Sequence, residues 1–235
     1  VDYSDGELKV VLQGETARIE RLSLRSGEGR ITGEGVGEFG AQPSARVQVR
    51  AETFRVLGRL DRQLVASGQA VLALKPDQLK LDGKVLIDSG LFDLASRDAP
   101  ALDDDVRVRC PRDTPVATAR AEPPTLPRLV RQSSVTLDVD LGKKLRLRGR
   151  GLDTALQGDL KLTTPGGRLA IHGTVRTQGG TYAAYGQKLE IERGIVAFTG
   201  QVDTPRLDIV ALRPNTDIRV GVAVSGTPQA PRARL

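Results

Sequence analysis

Gly179-Gly-Thr-Tyr-Ala-Ala-Tyr-Gly-Gln-Lys-Leu-Glu-Ile-Glu-Arg-Gly-Ile-Val-Ala-Phe-Thr-Gly200 is the stretch from which the fold is read. Leu189 and Ile191 alternate with Lys188, Glu190 and Glu192, the period-two pattern of a half-buried strand. Arg193-Gly194 interrupts the alternation, and glycine suits a tight turn, so the stretch reads as two strands folded about Glu192-Arg193-Gly194. Leu189 and Ile191 are assigned to the inside, with Phe198. Beyond the turn, alternation alone also allows Ile195 and Ala197 to face inward instead of Val196 and Phe198.

The same alternation extends outward in both directions. Downstream, Leu207 and Ile209 share a face, as do Ile218, Val220, Val222 and Val224. Upstream, Leu156, Leu160 and Leu162 form one set and Leu169, Ile171 and Val175 another. Short strands are also expected over 8–12, 18–24, 29–37, 45–51, 63–75 and 78–87, whereas 54–60 is compatible with a strand or a helical turn. Val85-Leu-Ile-Asp-Ser-Gly-Leu-Phe92 echoes Leu189-Glu-Ile-Glu-Arg-Gly-Ile-Val196, suggesting one hairpin unit used twice. No apolar period of 3.6 persists for three turns, so the chain is expected to be all-β. Three segments are expected within one continuous domain truncated at both ends: an N-terminal β segment over 1–96, a flexible loop rich in Pro and Asp over 97–132, and a C-terminal β segment over 133–235. The loop is marked by six of the thirteen prolines and by Asp103-Asp104-Asp105.

Nearly every strand has one aliphatic face and no helix is available to cover it. About fourteen antiparallel strands in one sheet would curl, giving an elongated U-shaped trough, β-taco-like, with an aliphatic inner face. An ordinary sandwich core would use the same residues. Composition restricts what a trough can hold. Aromatics are 3% of the 235 residues and Trp and Met are absent, so an interior of Leu, Val, Ile and Ala offers wide, undirected contact suited to acyl chains. The net charge of +6 is interspersed along strands, as in Lys144-Leu-Arg-Leu-Arg148, and few aromatics are available to stack on bases; both features argue against nucleic acid as a partner.

No catalytic residue, metal site or cofactor is expected. Gly35-Val-Gly-Glu-Phe-Gly40 matches a dinucleotide-binding spacing, but Pro43 and a strand follow where a helix is needed. His172 is the sole histidine and Cys110 the sole cysteine, too few for a nitrogen or thiolate metal cluster. Asp103 to Asp105 lacks the spacing of a calcium loop. Glu190 and Glu192 are flanked by Lys188 and Arg193 and make a poor acid–base pair.

Leu137-Asp-Val-Asp-Leu-Gly142, Gly149-Arg-Gly-Leu152, Leu156-Gln-Gly158, Gly179-Gly-Thr-Tyr182, Tyr185-Gly-Gln187, Leu189-Glu-Ile-Glu-Arg-Gly194, Phe198-Thr-Gly200, Asp203-Thr-Pro205, Leu207-Asp-Ile209, Ala211-Leu-Arg213 and Val220-Gly-Val222 occur in this order. In that arrangement they resemble the TamB C-terminal domain family, within the wider AsmA-like, bridge-like group of envelope proteins. Thr204 stands where the family usually has Asn. The resemblance implies a periplasmic segment of a Gram-negative protein, anchored in the inner membrane by a segment outside this chain. It implies a TamA-like outer-membrane barrel of the Omp85 group as partner within a translocation and assembly module. Nascent outer-membrane proteins, including autotransporters, and phospholipid carried between the membranes are the implied cargo.

Overall fold

The computed structural model describes residues 3–94, 132–184, 186–214 and 220–234. In chain order the strands are β1 (Tyr3–Gln13), β2 (Thr16–Ser26), β3 (Gly29–Glu38), β4 (Ser44–Gly58), β5 (Arg62–Lys75), β6 (Gln78–Asp93), β7 (Gln132–Asp140), β8 (Leu145–Gly149), β9 (Leu152–Thr163), β10 (Ala170–Ala184), β11 (Gln187–Gly200), β12 (Arg206–Leu212), β13 (Gly221–Thr227) and β14 (Ala230–Arg234). A 3₁₀ turn at Pro165–Gly167 is the one helical element among the described residues. All fourteen strands belong to one sheet, ordered along the chain from β1 to β14. At about 4.8 Å per strand it extends about 60 Å. The expected all-β, curled, elongated sheet is therefore the observed one.

One junction departs from the antiparallel rule. β7 runs parallel to the first part of β6 (Gln78↔Gln132 to Leu86↔Asp140), and β8 runs parallel to its last part (Gly90↔Leu145 to Asp93↔Arg148). Both then pair antiparallel with β9, so β7 and β8 act as one strand interrupted at 141–144. Parallel neighbours require a crossover connection from one end of the sheet to the other. The expected loop over 97–132 falls on residues outside the described ones, apart from Gln132, where β7 starts.

The hairpin expected at Glu192-Arg193-Gly194 is not there. β10 and β11 reverse direction between Ala184 and Gln187, and β11 runs unbroken through Gly194 to Gly200. Against β12, Ile191 pairs Ala211 and Arg193 pairs Val210, leaving Glu192 as one extra residue, a β-bulge. Gly194 is required for space, since a Cβ there would lie 2.6 Å from the Thr177 side chain. The echo in β6 is also a bulge: Ala66 pairs Ile87 and Val65 pairs Ser89, so Asp88 is extra. A third copy, Ile19-Glu20-Arg21, places Glu20 between the β1 pairs Lys9↔Arg21 and Val10↔Ile19. The repeated unit is thus a bend within a strand, not a hairpin. The undecided stretch 54–60 is mostly strand, the far part of β4, carried to Gly58 through two register shifts.

Bulges bend the strands that carry them. Here burial is concentrated on the aliphatic face. An uncovered single sheet leaves both faces to solvent, yet Phe54, Ala66, Ile87, Leu141, Leu145, Ile191 and Ala211 are all buried on that one face. Ala66, Ile87, Leu141 and Leu145 form the core, with Leu64, Val85, Phe92, Val139, Leu156, Leu160 and Val175 packed around them. The curl also brings distant strands together. Tyr3 of β1 stacks on Phe54 of β4 with ring centroids 5.9 Å apart, where three flat strand spacings would be about 14 Å. Ser26 donates its hydroxyl to the Arg55 carbonyl at 3.1 Å across the intervening β3.

Candidate apolar groove

The cross-strand register aligns the apolar residues into rows. One row runs Val49, Ala70, Gly83, Leu137, Leu162, Ile171; the next runs Ala51, Gly68, Val85, Val139, Leu160, Gly173, Phe198. Side chains alternate faces along each strand, so both rows lie on one side, here called the inner face.

Of the residues expected to line a trough, Leu156, Leu160, Leu162, Ile171 and Val175 lie on this face of β9 and β10. Leu189 and Ile191 share it through their partners Tyr182 and Ala211. The choice beyond the bulge falls to Val196 and Phe198, which pair Val175 and Gly173; Ile195 and Ala197 face outward beside Arg176 and Thr174. Leu207 and Ile209 follow opposite Val196 and Gly194, and Val222 and Val224 opposite Ala211 and Ile209. Leu169 and Val220 precede β10 and β13 and are half exposed, at 50% and 51%, so they belong to the ends of the groove. Ile218 lies outside the described residues.

Among the described residues, six buried hydrophobic side chains of the inner face lie outside the expected lining: Phe54, Ala66, Ile87, Leu141, Leu145 and Ala211. Ile87 had a signal in the echo of Ile191. Leu141 and Leu145 flank the break between β7 and β8, where alternation is lost. The inner face also continues through Leu8, Val10 and Leu12 of β1, which are exposed.

Glycine shapes the floor at two positions. Gly158 and Gly173 have φ of +145° and +130°, and a Cβ would lie 2.0 Å from the Thr174 carbonyl oxygen and 2.1 Å from that of Asp159. The backbones of β9 and β10 therefore approach on the inner face more closely than any side chain permits. Their cross-strand partners, Val175 and Leu160, fill the room left.

The outer face is polar and ion-paired. Lys9 meets Glu20 at 2.7 Å, Arg193 meets Asp208 at 3.2 Å, and Arg146 grips Asp153 through Nε and Nη2 at 2.8 and 2.9 Å. The hydrogen bond from Arg146 holds the Asp153 carboxyl below its ordinary range and raises the guanidinium in return. The hydrogen bond from Lys9 likewise lowers Glu20. An open channel of about 930 Å³ is lined by Arg50, Lys84, Asp138, Lys161 and His172 and also by Val85, Val139 and Leu160, with both signs of charge. Among the described residues, no three His, Cys, Asp or Glu side chains are placed to hold a metal ion, and no helix is long and apolar enough to cross a membrane.

The family model for the TamB C-terminal domain matches residues 19–235. The translocation and assembly module subunit TamB of Haemophilus influenzae is 28% identical over 204 residues, covering 82% of this chain. The chain spans 15% of that relative's length. The chain belongs to the TamB C-terminal domain family.

Proposed function

We propose that this chain is a periplasmic, non-catalytic segment of a translocation and assembly module, in which the inner face carries phospholipid acyl chains between the inner and outer membranes. The observation that carries the reading is the pair of largely aliphatic rows from β4 to β11, with no second layer of described residues upon them. Each methylene taken from water into such a groove contributes about 0.8 kcal/mol, and a floor with few aromatic or polar groups lets a chain slide. The relative's name supplies the module; a TamA-like Omp85 barrel in the outer membrane and an inner-membrane anchor outside this chain complete the proposal.

A photoreactive side chain at Leu160 or Ile171 should capture phospholipid from cells, and one at the outward Lys161 should not. Equal capture at both faces would defeat the conduit.

A second reading is a scaffold that templates nascent outer-membrane strands along a sheet edge. The alternating stretch over 217–225 would suit such an edge, but β13 is paired on both sides, by β12 and β14. Among the described strands, β14 is the last in the sheet. Ending the chain after Thr227 should then impair membrane-protein assembly and leave lipid capture unchanged; parallel loss of both would defeat this reading.

A further inference from the structure

Two strands carry bulges on either side of β5, and one hydroxyl of β5 joins them. In β4 the pairs Ala51↔Gly68 and Phe54↔Ala66 leave one extra residue, and Thr53 there has φ of +42°. In β6 the extra residue is Asp88. Between them, on the outer face of β5, the Ser67 hydroxyl oxygen accepts the Thr53 N–H at 2.9 Å and donates to Asp88 Oδ2 at 2.6 Å. A serine hydroxyl has one proton to give and lone pairs to receive, so both roles are filled at once. A bulged residue has lost its ladder partner, and here the two bulges replace theirs with the same side chain. The bulge in β2 is fastened outward in the same sense, Glu20 to Lys9 of β1.

We propose that Ser67 is the pin of a hinge along the trough floor. The Thr53–Ser67–Asp88 chain locks the bulges of β4 and β6 to β5, so that the two walls hold one opening angle and move as units. The acid at the extra position is the outside tether that sets the angle. On the conduit reading this fixes the width offered to cargo, but the hinge itself is independent of lipid.

The ends of β5 report the angle directly. Its fourteen residues would span about 45 Å if straight. Spin labels at Arg62→Cys and Lys75→Cys, in the full chain with Cys110→Ser and without lipid, measure that distance by pulsed electron resonance. The parent should give a narrow distribution well below the straight length. Ser67→Ala and Asp88→Ala should broaden it and lengthen its mean by about one strand spacing, ~5 Å. Asp88→Asn retains an acceptor oxygen and should match the parent. Folded alanine variants with the parent's distribution would overturn the hinge, and so would Asp88→Asn behaving as Asp88→Ala. Loss of the sheet circular dichroism in both alanine variants would make the chain a folding element and overturn it equally. Phospholipid capture by Leu160 can fail with the hinge intact, so the two proposals are separable.

Discussion

Residues 85–92 of β6 and 189–196 of β11 carry the same pattern and the same one-residue bulge, yet their neighbours fasten the surroundings differently. In each, a buried isoleucine, Ile87 or Ile191, is followed by an extra acidic residue, then by a glycine that returns the inner face to register. A Cβ on Gly90 would lie 2.6 Å from Leu145 Cδ1, and one on Gly194 equally close to Thr177. In β6 the bend is tied on the outer face through Ser67. Near β11 the neighbouring β10 has its own extra residue at Gly179-Gly180, and the inner-face Thr154 donates its hydroxyl to the Gly179 carbonyl at 2.6 Å. The lesson is a division of labour. The local sequence decides where a strand bends, and neighbours decide how firmly.

The comparison breaks most visibly under deletion. Removing Asp88 or Glu192 alone restores one-for-one pairing with β5 or β12, so the following side chains keep their faces while the bend is lost. Both deletions should lower the thermal midpoint by straightening the strand; an unchanged midpoint in either would show that the extra residue is dispensable. Next come Ile87→Ala and Ile191→Ala, each expected to cost about 2–5 kcal/mol by denaturant titration. Their values should agree within about 1 kcal/mol if the two bends are equivalent. Thr154→Val keeps the shape but leaves the Gly179 carbonyl without its hydroxyl, for a loss of about 1–3 kcal/mol confined to the C-terminal bend. The smallest effect concerns the third copy. Glu20 is held below its ordinary carboxyl range by Lys9, so its contribution is complete above that range and fades as pH falls through the lowered value. Glu20→Gln should therefore lower stability slightly near neutrality and converge with the parent in acid.

Much of this was legible from residues. Alternation identified the strands and assigned Leu156, Leu160, Leu162, Ile171 and Val175 to one face, because a half-buried strand has period two. It failed at Arg193-Gly194 for a physical reason. A bulge and a hairpin both interrupt the period with polar residues and glycine, and alternation carries no information about whether the chain reverses. The echo in 85–92 held the clue, since two hairpin turns of one kind would leave the intervening segments too long. Ile19-Glu20-Arg21 repeats Ile191-Glu192-Arg193 residue for residue and went unread because its surroundings alternate well. The parallel β6–β7 junction was hidden for another reason: periodicity describes a strand's faces but not its neighbour.

That junction has a consequence for how the chain acquires its shape. Within 3–94 and within 132–234, strand partners lie close in sequence, mostly joined by short turns. The seam joins residues as far apart as Gln78 and Gln132 in its first pair. Contacts near in sequence form quickly and those far apart wait on the entropy of loop closure. The two meanders therefore assemble first and the seam zips last. Leu141 and Leu145, which straddle the break between β7 and β8, complete the floor only at that final step.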